Sequence, residues 1–148
     1  MRSLRNIFQE RELYFITPDQ SIADAARYMS ERNVGAVCVL EGERLVGILS
    51  ERDMMKRVIA PNRDPGTTRV AEVMTAKPIV VDVHESYEKC LKVMKQASVR
   101  HLPVVEGDKL VGLVSLRDLL QVDLDEKEEE LKYMQDYIHY IPPSKPVL

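Results

Sequence analysis

The chain has 148 residues, enough for one compact domain that buries roughly two-thirds of its unfolded surface. With 21 Lys and Arg against 24 Asp and Glu, the net charge of −3 gives no general attraction to nucleic acid. Its 2 cysteines are too few for a disulfide framework.

The amino terminus, Met1-Arg2-Ser3-Leu4-Arg5-Asn6, lacks the apolar stretch and small-residue cleavage site of a secretory signal. No apolar run approaches the roughly 20 residues that a membrane helix needs. A cytoplasmic protein is the expectation, with no membrane or nucleic-acid partner.

Leu4 to Phe8 leads into a strand predicted at Leu13 to Ile16. Ser21 then caps an amphipathic helix whose Ile22, Ala25, Ala26 and Met29 share one face. Two apolar strands follow, Ala36 to Leu40 and Leu45 to Leu49, joined by Glu41-Gly42-Glu43 as a hairpin. A short helix begins at Ser50. The stretch Ala60 to Thr68, dense in Pro, Gly and polar residues, reads as a linker.

The same order then repeats. Val70 to Met74 leads into a strand at Pro78 to Asp82, and Ser86 caps a helix with Tyr87, Cys90, Leu91 and Met94 on its apolar face. A hairpin from Leu102 to Val105 and Leu110 to Val114 turns at Glu106-Gly107-Asp108, and a short helix begins at Ser115. Residues 123–141 form an additional helix: Leu131, Met134, Tyr137, Ile138 and Ile141 make its stripe, and Pro142 ends it. Its Tyr133, Tyr137 and Tyr140 suit an interface, against the chain's own body or a second copy. Cys38 and Cys90 read as small buried hydrophobes. His84, His101 and His139 have no metal-ligand spacing, so no metal site is expected.

The repeat is in strict register over its second half. Gly42, Leu45, Val46, Gly47, Ser50, Arg52 and Asp53 recur 65 residues later as Gly107, Leu110, Val111, Gly112, Ser115, Arg117 and Asp118. A strand that ends in Gly-x-x-Ser and passes into x-Arg-Asp at a helix start holds groups that handle nucleotides. The glycine admits a ligand close to the backbone, the serine hydroxyl and free amides hold phosphate oxygens, and the carboxylate accepts ribose hydroxyls. Arg52 and Arg117 can neutralise phosphate. The plainer account is a capping box, in which Ser and Asp merely satisfy amides at the helix start. It explains neither the repeated Arg nor the Gly inside a strand.

The doubled Gly-x-x-Ser-x-Arg-Asp endings, the two Gly-centred hairpins and Val99-Arg100-His101-Leu102-Pro103-Val104-Val105 resemble a tandem pair of CBS domains, the modules named after cystathionine β-synthase. The resemblance spans about residues 4–122 and implies an α+β fold of two β-α-β-β-α repeats. Its divisions are a first repeat over 4–59, a linker over 60–68, a second repeat over 69–122, and the terminal helix. It further implies a pseudo-two-fold module with clefts for adenosine derivatives (AMP, ADP, ATP, NAD(H) or S-adenosylmethionine), commonly paired into a disc-like homodimer.

By the same resemblance, Asp53 and Asp118 bind ribose hydroxyls, Ser50 and Ser115 contact ribose or phosphate, and Arg100 and His101 face phosphate. In the first copy Gly35-Ala36-Val37-Cys38 stands where the second has Arg100-His101-Leu102-Pro103, so the clefts are chemically unequal. Backbone groups of Ala36 and Val37 are then expected to recognise an adenine edge, Leu102 and Pro103 are expected to contact the ligand in the other copy, and Ile16 and Val81 are expected as apolar walls for the base. No catalytic triad, Walker sequence or Gly-x-Gly-x-x-Gly occurs, so the expected role is regulatory, non-catalytic and without a required cofactor, acting on an effector protein. The rival expectation is a dimerisation and protein-interaction module whose clefts take no ligand.

Overall fold

Ser21 and Ser86 start the two long helices as their sequence positions require: Ser21 Oγ accepts from the Asp24 N–H at 3.1 Å and Ser86 Oγ from the Lys89 N–H at 3.2 Å. Asn33 and Ser98 end these helices in the left-handed region, at φ 56° and 55°. The computed structural model describes residues 4–8 and 11–139.

The first half contains α1 (Leu4–Phe8), β1 (Phe15–Ile16), α2 (Ile22–Arg32), β2 (Ala36–Glu41), β3 (Arg44–Ser50) and α3 (Glu51–Met54), which runs into a π-helical turn at Met55–Ile59. The second contains α4 (Val70–Val73), β4 (Thr75–Ala76), β5 (Val81–Asp82), α5 (Tyr87–Ala97), β6 (His101–Glu106), β7 (Lys109–Ser115) and α6 (Leu116–His139). β1 runs parallel to β2, and β2 pairs antiparallel with β3. In the second sheet β5 is parallel to β6, and β6 is antiparallel to β7. Both hairpins turn on a glycine at positive φ, 64° at Gly42 and 63° at Gly107, where a side chain would be strained.

Packing does not follow chain order. Leu4 is fully buried in the second repeat's core among Val81, Cys90, Leu102 and Leu119, with Ile7 and Phe8 beside it. Val70 and Val73 fill the first repeat's core with Ile16, Ile22, Met29 and Leu49. Each repeat therefore lends its leading helix to the other. Burial of a side chain the size of Leu4 contributes about 1.5–3 kcal/mol. Between the sheets lies a third cluster, Cys38, Leu40 and Leu110, flanked by Leu13, Leu45, Val105 and Leu113. Burial drives the Cys38 thiol up to about 12 and the Cys90 thiol up to about 11, so both stay protonated and inert.

The stretch Ala60 to Thr68 is pinned to the first repeat. Pro65 O accepts from the Ala23 N–H and Thr68 O from the Ile22 N–H, both at 2.9 Å. At the other end, the helix expected at Ser115 and the one expected from residue 123 are continuous as α6, because no Gly or Pro interrupts Leu116 to His139. The Tyr87 hydroxyl ties α5 to α6, lying 2.9 Å from Glu126 Oε2 and 3.2 Å from Asp123 Oδ1. The expected contributions of Tyr140, Ile141 and Pro142 lie outside the described residues.

Candidate functional site

Two clefts lie where the repeats meet, and each draws on both copies. One, of about 410 Å³, joins Ser50, Arg52 and Asp53 of the first copy to Arg100, His101 and Leu102 of the second. The other, of about 760 Å³, joins Ser115, Arg117 and Asp118 to Ala36 and Val37. The cation-poor strand thus serves Asp118, and the Arg100-His101 strand serves Asp53. His101, half-buried, borders both.

The capping box is real in both copies. The Asp53 N–H donates to Ser50 Oγ at 3.2 Å and the Ser50 N–H to Asp53 Oδ2 at 3.0 Å. The corresponding distances at Ser115 and Asp118 are 3.0 and 2.9 Å. Capping accounts for one oxygen of each carboxylate and leaves Oδ1 to be explained. At Asp53, among the described residues, Oδ1 is met only by Thr75 Oγ1, at 3.4 Å. At Asp118, Arg11 grips both oxygens, Nη2 to Oδ1 at 2.7 Å and Nη1 to Oδ2 at 3.0 Å.

This pair shapes the local electrostatics. Burial on its own would raise the Asp118 carboxyl, but hydrogen bonds from Arg11 and the Ser115 N–H, with the Arg11 charge, hold it below its ordinary value. The Asp118 hydrogen bond reciprocally holds the guanidinium up. Burial lowers the His101 imidazole, against the pull of Asp118 and Glu51 and with the push of Arg100.

Several expected residues sit elsewhere. Ile16 and Val81, expected as walls for a base, are 1% and 8% exposed inside the two cores and border neither cleft. The apolar lining comes a few residues earlier, from Leu13 and Tyr14 in one cleft and from Pro78 and Ile79 in the other. Only the last residues of these segments pair as strands, so those before them stay free to face the cavity. Pro103 is buried in β6, opposite Leu113.

The strand glycines also need another explanation. A Cβ at Gly47 would lie 2.6 Å from Met74 Sδ and 2.9 Å from Thr75 O, and one at Gly112 would lie 2.7 Å from Phe8 Cε1. They make room for the exchanged leading segments, and Gly112 also borders the larger cleft. Sequence reasoning missed Arg11, Lys77 and Thr75, whose only signal was their place just before the first strand of each repeat.

A family model described as CBS domain matches residues 4–60 and 70–125. The mitochondrial CBS domain-containing protein CBSX3 of Arabidopsis thaliana is 32% identical over 82% of this chain, which spans 62% of that relative's length. The structure of a CBS-domain protein from Burkholderia ambifaria superposes with a TM-score of 0.79 at 33% identity, covering 84% of this chain and 95% of the other. A CBS domain protein from Pyrobaculum aerophilum, complexed with AMP, has a TM-score of 0.71 at 24% identity, over 80% of this chain and 89% of its own.

Proposed function

This chain belongs to the CBS-domain family, and from that premise we propose that it is a non-catalytic regulatory module that binds an adenine nucleotide between its repeats. One observation carries the reading: Asp53 keeps Oδ1 turned from its own main chain, in a cleft that also holds Ser50, Arg52, Lys77, Arg100 and His101. A carboxylate that accepts two hydroxyls, set beside several cations, matches a ribose with an attached phosphate. Pro78, Ile79 and Leu102 supply an apolar surface for the base. The Pyrobaculum protein's AMP complex belongs to that protein, and its likeness to this chain bears on the fold alone.

The module acts as a homodimer in this reading. Helix α6 exposes Leu120, Leu124, Leu131, Met134 and Ile138, a stripe that a second copy would cover. A nucleotide regulates such an assembly by binding two of its arrangements unequally, and an effector protein reads the difference. The same stripe favours the second reading, a module that dimerises and docks a partner without a ligand.

Thermal unfolding with AMP, ATP, NADH and S-adenosylmethionine separates them. A ligand at a hundred times its Kd adds about 2.7 kcal/mol, which for a chain of this size is about 5–10 °C. Asp53→Asn retains a residue able to cap the helix but discharges the carboxylate, and is expected to remove much of the shift. If none of the four compounds moves the midpoint, the nucleotide reading fails and the interaction module stands.

A further inference from the structure

The carboxylates that end the two repeats are alike in sequence and unlike in state. Asp118 has both oxygens engaged: Oδ2 accepts from the Ser115 N–H at 2.9 Å and Arg11 Nη1 at 3.0 Å, and Oδ1 accepts from Arg11 Nη2 at 2.7 Å. Asp53 forms no ion pair among the described residues, and its Oδ1 has only the 3.4 Å approach of Thr75 Oγ1. A sugar diol can therefore reach Asp53 directly. To reach Asp118 it must take the place of a two-pronged guanidinium.

Resting on the nucleotide reading above, we propose that Arg11 makes the Asp118 cleft selective for phosphorylated nucleosides, while the Asp53 cleft admits charged and uncharged ones alike. A neutral diol offers Asp118 two hydroxyl donors in place of a guanidinium, a poor substitution because the hydroxyls carry no opposite charge and lack the rigid two-pronged fork. It also leaves the guanidinium without an anion. A phosphate removes that penalty, because it is itself a two-oxygen anion that Arg11 can grip in the same fork geometry. The receiving groups are in place, since Ser115, Arg117 and His101 border the same cavity as Arg11.

The guanidinium is free to make that exchange. Arg11 belongs to the segment between α1 and β1, outside any helix or strand, and its side chain is 46% exposed against 18% for Asp118. Letting go of Asp118 needs rotation of one side chain, which also carries the guanidinium off the Phe8 ring, 5.9 Å from its centroid.

Calorimetric titration with adenosine and with AMP tests this in a chain carrying Asp53→Asn, which isolates the Asp118 cleft. AMP is expected to bind and adenosine to bind at least about tenfold more weakly. Adding Arg11→Gln is expected to improve adenosine binding by about tenfold and to erase most of the preference for AMP. Arg11→Lys, which keeps the charge but loses the fork, is expected to fall between. Circular dichroism melting of each variant checks that the fold is retained.

Equal binding of the two compounds before Arg11 is changed would overturn the proposal, as would an unaltered preference in Arg11→Gln or failure of AMP to bind the Asp118 cleft at all. The Asp118→Asn chain keeps the two failures apart. If AMP and adenosine both bind it, the Asp53 cleft works and any fault lies with the Arg11 inference alone. If neither binds it, the nucleotide reading has failed and this inference with it.

Discussion

Replacing Gly47 and Gly112 by alanine separates two explanations of the repeated glycine, and the structure assigns different costs to the two sites. At Gly47 the new methyl would stand 2.9 Å from the carbonyl oxygen of Thr75, a backbone atom fixed by pairing of Gly47 with Ala76. Carbon contacts are comfortable at about 3.5–4.0 Å, so β3 and β4 must part. Overpacking costs about 1–3 kcal/mol, and weakening the short β3–β4 ladder adds about 1 kcal/mol. Loss of glycine's freedom in the unfolded chain returns about 0.4–1 kcal/mol.

The net expectation is about 2 kcal/mol of destabilisation for Gly47→Ala, or about 4–8 °C. At Gly112 the obstacle is the Phe8 ring, 2.7 Å away, a half-buried side chain that can swing aside. Gly112→Ala is therefore expected to cost at most about 1 kcal/mol, and Phe8→Leu should recover part of it. Thermal and urea melts of the ligand-free protein provide the measurement. If Gly47→Ala melts with the wild type, or Gly112→Ala is the more harmful, the packing explanation is wrong and the glycines are there for a ligand after all.

Two other predictions concern the His101 imidazole at the clefts and the Tyr87 hydroxyl between α5 and α6. His101 is held below its usual value, chiefly by burial, so folding favours the neutral ring. Its contribution to stability is complete above the unfolded value of about 6.5 and is lost as pH falls through that value towards the folded one. His101→Gln should flatten the pH dependence of the melting midpoint between about pH 7.5 and 5.5, and an unchanged slope would refute the assignment. Tyr87→Phe removes the hydroxyl between Asp123 and Glu126, at a cost of about 1 kcal/mol, and should speed hydrogen exchange in α6 beyond residue 123. Identical exchange would show that this hydroxyl does not hold α6.

Periodicity and caps made much of this architecture legible. Ser21 and Ser86, the stripes behind them and the Gly-centred turns are local signals, each set by the few residues around it. The crossing of the leading helices was not legible, because Leu4 and Val70 are apolar in the same way whichever core they enter. The same blindness decided which strand serves which carboxylate: the inequality of Gly35-Ala36 and Arg100-His101 is visible in the chain, but its assignment to Asp118 and Asp53 depends on how the copies pack. Arg11 was hidden for a related reason, since its partner lies 107 residues away. At the glycines the pattern was legible and the packing behind it was not, because Met74 and Phe8, which press on them, are remote in the chain.

The traded leading helices bear on how such a chain came to exist. Each copy has a slot in its core that is filled by the other copy's arm, so a one-copy ancestor built the same way would be completed by a twin offering the missing wedge. Partnership would then precede fusion, and joining the two genes would have turned an encounter dependent on concentration into a permanent one.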